Sequence, residues 1–123
     1  MTEEKIGWGQ MKIMQVLWQK QRATARDITE ILCRHEKIAH STVQTLLRTL
    51  ENKKLAGHDV EDRTFVYYPL VQNDKITKRT MKNVIDYIFN GSAENLVSFV
   101  LKNKWITPGE IEEISRIFDE EDE

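Results

Sequence analysis

Apolar residues along this chain first recur at helical spacing, then alternate, then return to helical spacing. Ile13, Met14, Leu17 and Trp18 form a broad stripe that predicts a first helix over residues 10–19. Thr24, with Asp27 three positions on, is a capping-box start for a second helix whose buried side is Ile28, Ile31 and Leu32 and which ends near His35. Ser41, with Gln44 three positions on, signals a third helix that carries Val43, Leu46, Leu47 and Leu50 on one face and ends at Lys53-Lys54. The segments 56–60 and 64–70, rich in Val, Tyr, Phe and Thr and separated by Glu61-Asp62-Arg63, predict a β-hairpin, with Pro69 ending its second strand or placing it at an edge.

Helical spacing then resumes. Ile76, Thr80, Val84, Ile85, Ile88 and Phe89 predict a fourth helix that opens at Asn73 or Asp74 and stops at Asn90-Gly91. Ser92 caps a segment holding Leu96, Val97, Phe99, Val100 and Leu101. Thr107-Pro108-Gly109-Glu110 combines an N-cap, a first-turn proline and a capping-box acid ahead of Ile111, Ile114, Ile117 and Phe118. The fold class is mainly α (α+β): an N-terminal winged helix-turn-helix over 1–71 and a three-helix region over 72–123.

The outer face of the third helix changes the picture from fold to function. Solvated helix faces usually carry Glu and Lys; this one carries Thr42, Gln44, Thr45, Arg48 and Thr49. Small polar groups of this kind hydrogen-bond base edges and phosphates without keeping a helix out of a DNA groove. The apolar stripe would be core in any helical protein, so only the polar face argues for DNA. Arg63, at the hairpin tip, is placed to reach a phosphate.

Composition sets bounds on this reading. The 123 residues are 40 % hydrophobic and carry a net charge of −2. Residues 1–70 hold 11 Lys/Arg against 9 Asp/Glu, and 71–123 hold 7 against 11, with the acidic run 119–123 expected as a frayed, solvated end. No apolar run approaches the ~18–20 residues of a bilayer span, and no signal-peptide pattern is present, so no membrane association and a cytoplasmic location are expected. Cys33, the one cysteine, has no partner for an intramolecular disulfide. Cys33, His35 and His40 do not form a tetrahedral ligand set, so neither metal nor cofactor is expected. His58 is expected at the surface or near phosphate, and Trp8, Trp18 and Trp105 as packing residues. Without a phosphate loop, an activated nucleophile or a carboxylate pair in a pocket, the chain reads as a non-enzyme.

The last three helices total about fifty residues, too few to supply more than a few kcal/mol alone, yet they carry a surplus of apolar positions. Pairing with a second copy would bury Val84, Ile88, Leu96, Val97, Val100, Ile111, Ile114 and Phe118, and would set two recognition helices on a two-fold site. The alternative is a winged-helix module used only for protein–protein contact, which would lack the steep salt dependence of DNA binding.

The runs Met11–Trp18, Ala23–Ile28, Ser41–Leu50 and Phe65–Leu70 together resemble the penicillinase-repressor family, the BlaI and MecI type. The segments Asn90-Gly91-Ser92, Leu96–Val100 and Glu110–Ile114 resemble its dimerisation part. The resemblance implies a dimeric repressor on an inverted-repeat operator, controlling genes of the β-lactam-resistance type. It places Thr42, Gln44 and Thr45 at base-facing sites and Ser41 and Arg48 at flanking phosphates. It also implies a regulatory partner such as a sensor protease that cuts an Asn-Phe bond; here Ser98-Phe99 stands in the corresponding place and no Asn-Phe dipeptide occurs. The paired cysteines of the copper-responsive branch have no counterpart.

Overall fold

The computed structural model describes residues 6–122, excluding the side chains of 121 and 122. It contains helix α1 (Trp8–Lys20), strand β1 (Ala23–Thr24), helices α2 (Ala25–Leu32) and α3 (His40–Asn52), and strands β2 (Ala56–Glu61) and β3 (Thr64–Pro69). Helices α4 (Asn73–Ile88), α5 (Ala93–Lys102) and α6 (Pro108–Asp122) follow. The chain divides into two compact units, one reaching to Thr80 and the other starting at Met81.

The first unit is organised around one apolar core. Ile13, Met14 and Leu17 from α1, Ile28 from α2 and Val43, Leu47 and Leu50 from α3 are fully buried. Among the described residues no polar or charged side chain is buried with them. Gly9 lets α1 come close to α3, because a Cβ there would sit 3.2 Å from Leu46 Cδ1. Trp18 packs on the core and donates its indole N–H to the Val71 carbonyl at 2.9 Å, so its polar edge is satisfied. Ile76, early in α4, is buried in the same core, and this unit therefore extends past residue 71.

The capping box of α2 forms as its sequence predicts. Asp27 N–H donates to Thr24 Oγ1 and Thr24 N–H donates to Asp27 Oδ2, both at 3.1 Å. The start of α3 differs from the sequence reading. Its N-cap is Ala39, which makes no side-chain cap bond, and Ser41 is already the second helical residue. Ile38 packs against the core and carries the chain into the helix early, while His40 Nδ1 meets Thr29 Oγ1 at 3.0 Å and ties this start to α2.

The sheet has the order β1-β3-β2, antiparallel throughout. β3 is its central strand, so Pro69 marks a strand end rather than an edge. The two-residue β1 pairs Ala23 with Tyr67 and Thr24 with Val66. Trp8 is 71 % exposed and contributes little to the core, contrary to the packing role its residue type predicts.

In the second unit the helices have local start signals but no interior. Asn95 N–H donates to Ser92 Oγ at 3.1 Å, and Thr107 and Glu110 form a reciprocal capping box at 3.0 and 3.1 Å. Phe99 meets Phe89 and Trp105 edge-on, with centroids 5.8 and 5.6 Å away. No described side chain from 81 to 120 is buried. The acidic run continues α6 as far as Asp122, where its composition predicts a frayed end; Glu123 lies outside the described residues.

Leu47 is fully buried between elements of the first unit. Leu47→Ala is therefore expected to destabilise the chain by about 2–5 kcal/mol. Urea unfolding followed by Trp fluorescence checks this, and a loss below about 1 kcal/mol would contradict the assigned core.

Candidate nucleic-acid interface

The outward arc of α3 follows from the burial of its inward edge. With Val43, Leu47 and Leu50 in the core, the 3.6-residue period turns Ser41, Thr42, Gln44, Thr45 and Arg48 to solvent, and all five are exposed. Thr45 Oγ1 donates to the Ser41 carbonyl at 3.0 Å, and Thr49 Oγ1 donates to the Thr45 carbonyl at 3.1 Å. These back-bonds engage the hydroxyl protons, so Thr45 offers solvent a methyl group and an acceptor. Gln44 offers a donor and an acceptor together, and Arg48 a permanent cation.

The hairpin is joined to α3 by one side-chain contact near the helix end. Glu51, the one acid of α3, has Oε2 2.5 Å from His58 Nδ1 on β2. His58 in turn stacks on Phe65, with centroids 3.9 Å apart and planes at 11°. It is thus half-buried and engaged, not the free surface group expected from sequence. Tyr67 is buried on the same side of the sheet; burial first, and the Glu51 charge second, push its phenol above the usual range.

Arg63 is exposed at the hairpin tip, as the sequence predicts. The turn is tighter than expected. Glu61 pairs with Thr64, leaving Asp62 and Arg63 as a two-residue loop with φ values of 51° and 66°. Positive φ at both central residues is the conformation that favours Asn-Gly. A second cation, Lys54, occupies the left-handed position after α3 at φ 62°, where glycine is usual. Arg48, Lys54 and Arg63 are exposed cations on the helix, its C-terminal turn and the hairpin tip.

Arg22 is the residue that sequence reasoning missed. It lies before β1, yet its Nη1 reaches Asp59 Oδ2 at 3.0 Å and its Nη2 hydrogen-bonds Glu61 Oε2, both on β2. The guanidinium carbon is 5.9 Å from the Tyr68 ring centroid, on intervening β3. The hydrogen bonds to Asp59 and then Glu61 raise its pKa above the ordinary arginine value. No local pattern signals a contact between residues 37 and 39 positions apart.

In the second unit the residues predicted for dimerisation are half-buried or exposed. Val84, Leu96, Val100 and Ile111 are half-buried; Ile88, Val97, Ile114 and Phe118 are exposed, Ile88 at 70 % and Phe118 at 65 %. Tyr87, Trp105 and Ile117, which the sequence reading leaves out of this role, are also more than half exposed. The Ser98-Phe99 bond lies within α5. Among the described residues no group of three His, Cys, Asp or Glu could hold a metal ion. No described helix is long and apolar enough to cross a membrane.

The penicillinase-repressor family matches residues 6–120 of this chain. The chain belongs to that family. It is 27 % identical over 113 residues, 92 % of each chain, to the methicillin resistance regulatory protein MecI of Staphylococcus aureus. The Bacillus licheniformis repressor BlaI, solved in its monomeric form in complex with the blaP half-operator, is 25 % identical with a TM-score of 0.51. That match covers 58 % of this chain and 87 % of the other. A cysteine-to-serine mutant of MarR from E. coli shares the fold at 13 % identity and a TM-score of 0.58, over 94 % of this chain and 75 % of that one.

Replacing Arg63 by glycine removes a side chain from a left-handed position. Arg63→Gly is expected to raise folding stability by about 1 kcal/mol. Thermal melting measures it; a lower melting temperature would show that the Arg63 side chain holds the turn.

Proposed function

We propose that this protein is a dimeric DNA-binding transcriptional repressor of an inverted-repeat operator, with α3 in the major groove and the β2–β3 hairpin as its wing. The genes it controls are of the β-lactam-resistance kind that its relatives' names describe. The observation that carries the reading is the outer face of α3. It is lined by Ser41, Thr42, Gln44, Thr45 and Arg48, in a family whose member BlaI has been solved on a half-operator.

In this reading Gln44 pairs with both hydrogen-bonding positions of an adenine edge, and Thr42 and Thr45 set their methyl groups against thymine. Ser41 and Arg48 hold the flanking phosphates, and Arg63 reaches the backbone from the wing. The functional division is a DNA-binding part over 1–71 and a dimerisation part over 72–123. The apolar side chains of α4, α5 and α6 that water now reaches form the contact between copies.

DNA upstream of the protein's own gene, mobility-shifted at graded salt, tests this. Gln44→Ala is expected to relax preference at one base pair by about 1–3 kcal/mol, whereas Arg48→Ala weakens all sequences alike and lowers the salt slope by about one. Unchanged preference with Gln44→Ala would overturn the base-facing assignment. Failure of the parent chain to retain any DNA even at low salt would favour the protein–protein module.

The oligomeric reading has its own measurement. Phe118→Glu and Ile88→Asp place charges on side chains already exposed in the single chain, so the fold of each copy is kept. Sedimentation at micromolar concentration is expected to show a dimer for the parent and a monomer for the variants. A dimer that persists in both would place the interface elsewhere.

A further inference from the structure

The hairpin that the proposed function sends toward phosphate is acidic. It carries Asp59, Glu61 and Asp62 against the single full cation Arg63. Asp59 and Glu61 alternate with Val60 on β2, so both project from one face of the sheet. Two carboxylates side by side on a DNA-contacting element repel the phosphate backbone over roughly a Debye length, about 10 Å at 0.1 M salt.

Arg22 bridges these two carboxylates. One guanidinium nitrogen takes Asp59 and the other takes Glu61, while the group lies over the Tyr68 ring. Only a planar fork with separated donors serves two acceptors in this way; an ammonium is a point charge. The position is set by the fold. β1 pairs with β3 on the side opposite β2, and Arg22, just before β1, extends across β3 to reach β2.

A contribution to stability does not account for the arrangement. All three side chains are about half exposed, and ion pairs in that setting contribute little to folding. Resting on the repressor reading above, we infer that Arg22 is a positioning residue of the DNA interface: it neutralises the Asp59–Glu61 face of the wing and lets the hairpin approach the phosphate backbone. It acts through the wing and need not touch DNA.

The test uses the full chain and a mixed-sequence duplex of about three helical turns, with affinity read by fluorescence anisotropy between about 0.05 and about 0.3 M salt. Arg22→Met is expected to weaken binding roughly three- to tenfold at low salt, with the defect shrinking as salt rises. Arg22→Lys should fall between the two, keeping the charge but losing the fork. Adding Asp59→Asn and Glu61→Gln to Arg22→Met should return affinity to the parent level, because it removes the charges that Arg22 masks. Parental affinity for Arg22→Met overturns the inference. So does a triple variant that stays weak while its melting curve matches the parent, which would make the role of Arg22 structural. If the parent chain itself binds no duplex, the repressor reading falls first and this inference with it.

Discussion

The burial of one edge of α3 is the constraint from which the rest of the DNA-facing surface follows. Val43, Leu47 and Leu50 are wholly inside the core with Ile13, Met14, Leu17 and Ile28, and that contact fixes the rotation of the helix about its axis. Advancing the helix by one residue would turn it by about 100° and carry Gln44, Arg48 and Glu51 into the places of those three side chains. An amide and two charges would then be buried without partners, at a cost of at least several kcal/mol. The outward set of Ser41, Thr42, Gln44, Thr45 and Arg48 is therefore held by the same apolar packing that stabilises the fold. No separate interaction is needed to present the polar face.

The wing depends on a second, smaller set of contacts that also work in pairs of faces. On one side of the hairpin Tyr67 is buried, and His58 joins Glu51 at the end of α3 while stacking on Phe65. On the other side Arg22 joins Asp59 and Glu61 over Tyr68. Each side thus pairs an acid of the interface region with a basic or imidazole partner, and the exposed cations are left to face outward. Lys54 and Arg63 occupy left-handed positions where glycine would cost less. A cation retained at a strained position fits a surface selected for phosphate contact as well as for stability.

Much of this was legible in the sequence because it is periodic. The apolar stripes of α1, α2 and α3, the alternation of the hairpin and the Thr24–Asp27 and Thr107–Glu110 capping boxes are local patterns, and local patterns survive without tertiary context. What escaped was set by distant contacts. β1 is two residues long and has no period of its own, and Arg22 and His58 acquire partners only when the sheet and α3 come together. Ser41 carries a valid cap signal, but Ile38 draws the chain into the helix earlier. Trp8 shows that aromatic identity alone does not specify burial.

The second unit separates local from tertiary specification most clearly. Ser92 and Thr107 cap their helices, so α5 and α6 are defined by their own sequences. Yet Tyr87, Ile88, Trp105 and Phe118 stand at 65–73 % exposure, and no described side chain from 81 to 120 is buried. Apolar side chains at that exposure forgo about 25 cal/mol for each Å² they leave in water. Helices with strong caps and an unfilled apolar complement are what an interface between copies requires, since the missing core must come from outside the chain. That deficit is the physical ground of the proposed dimer, and it ties the spacing of two α3 helices to a surface that neither copy completes alone.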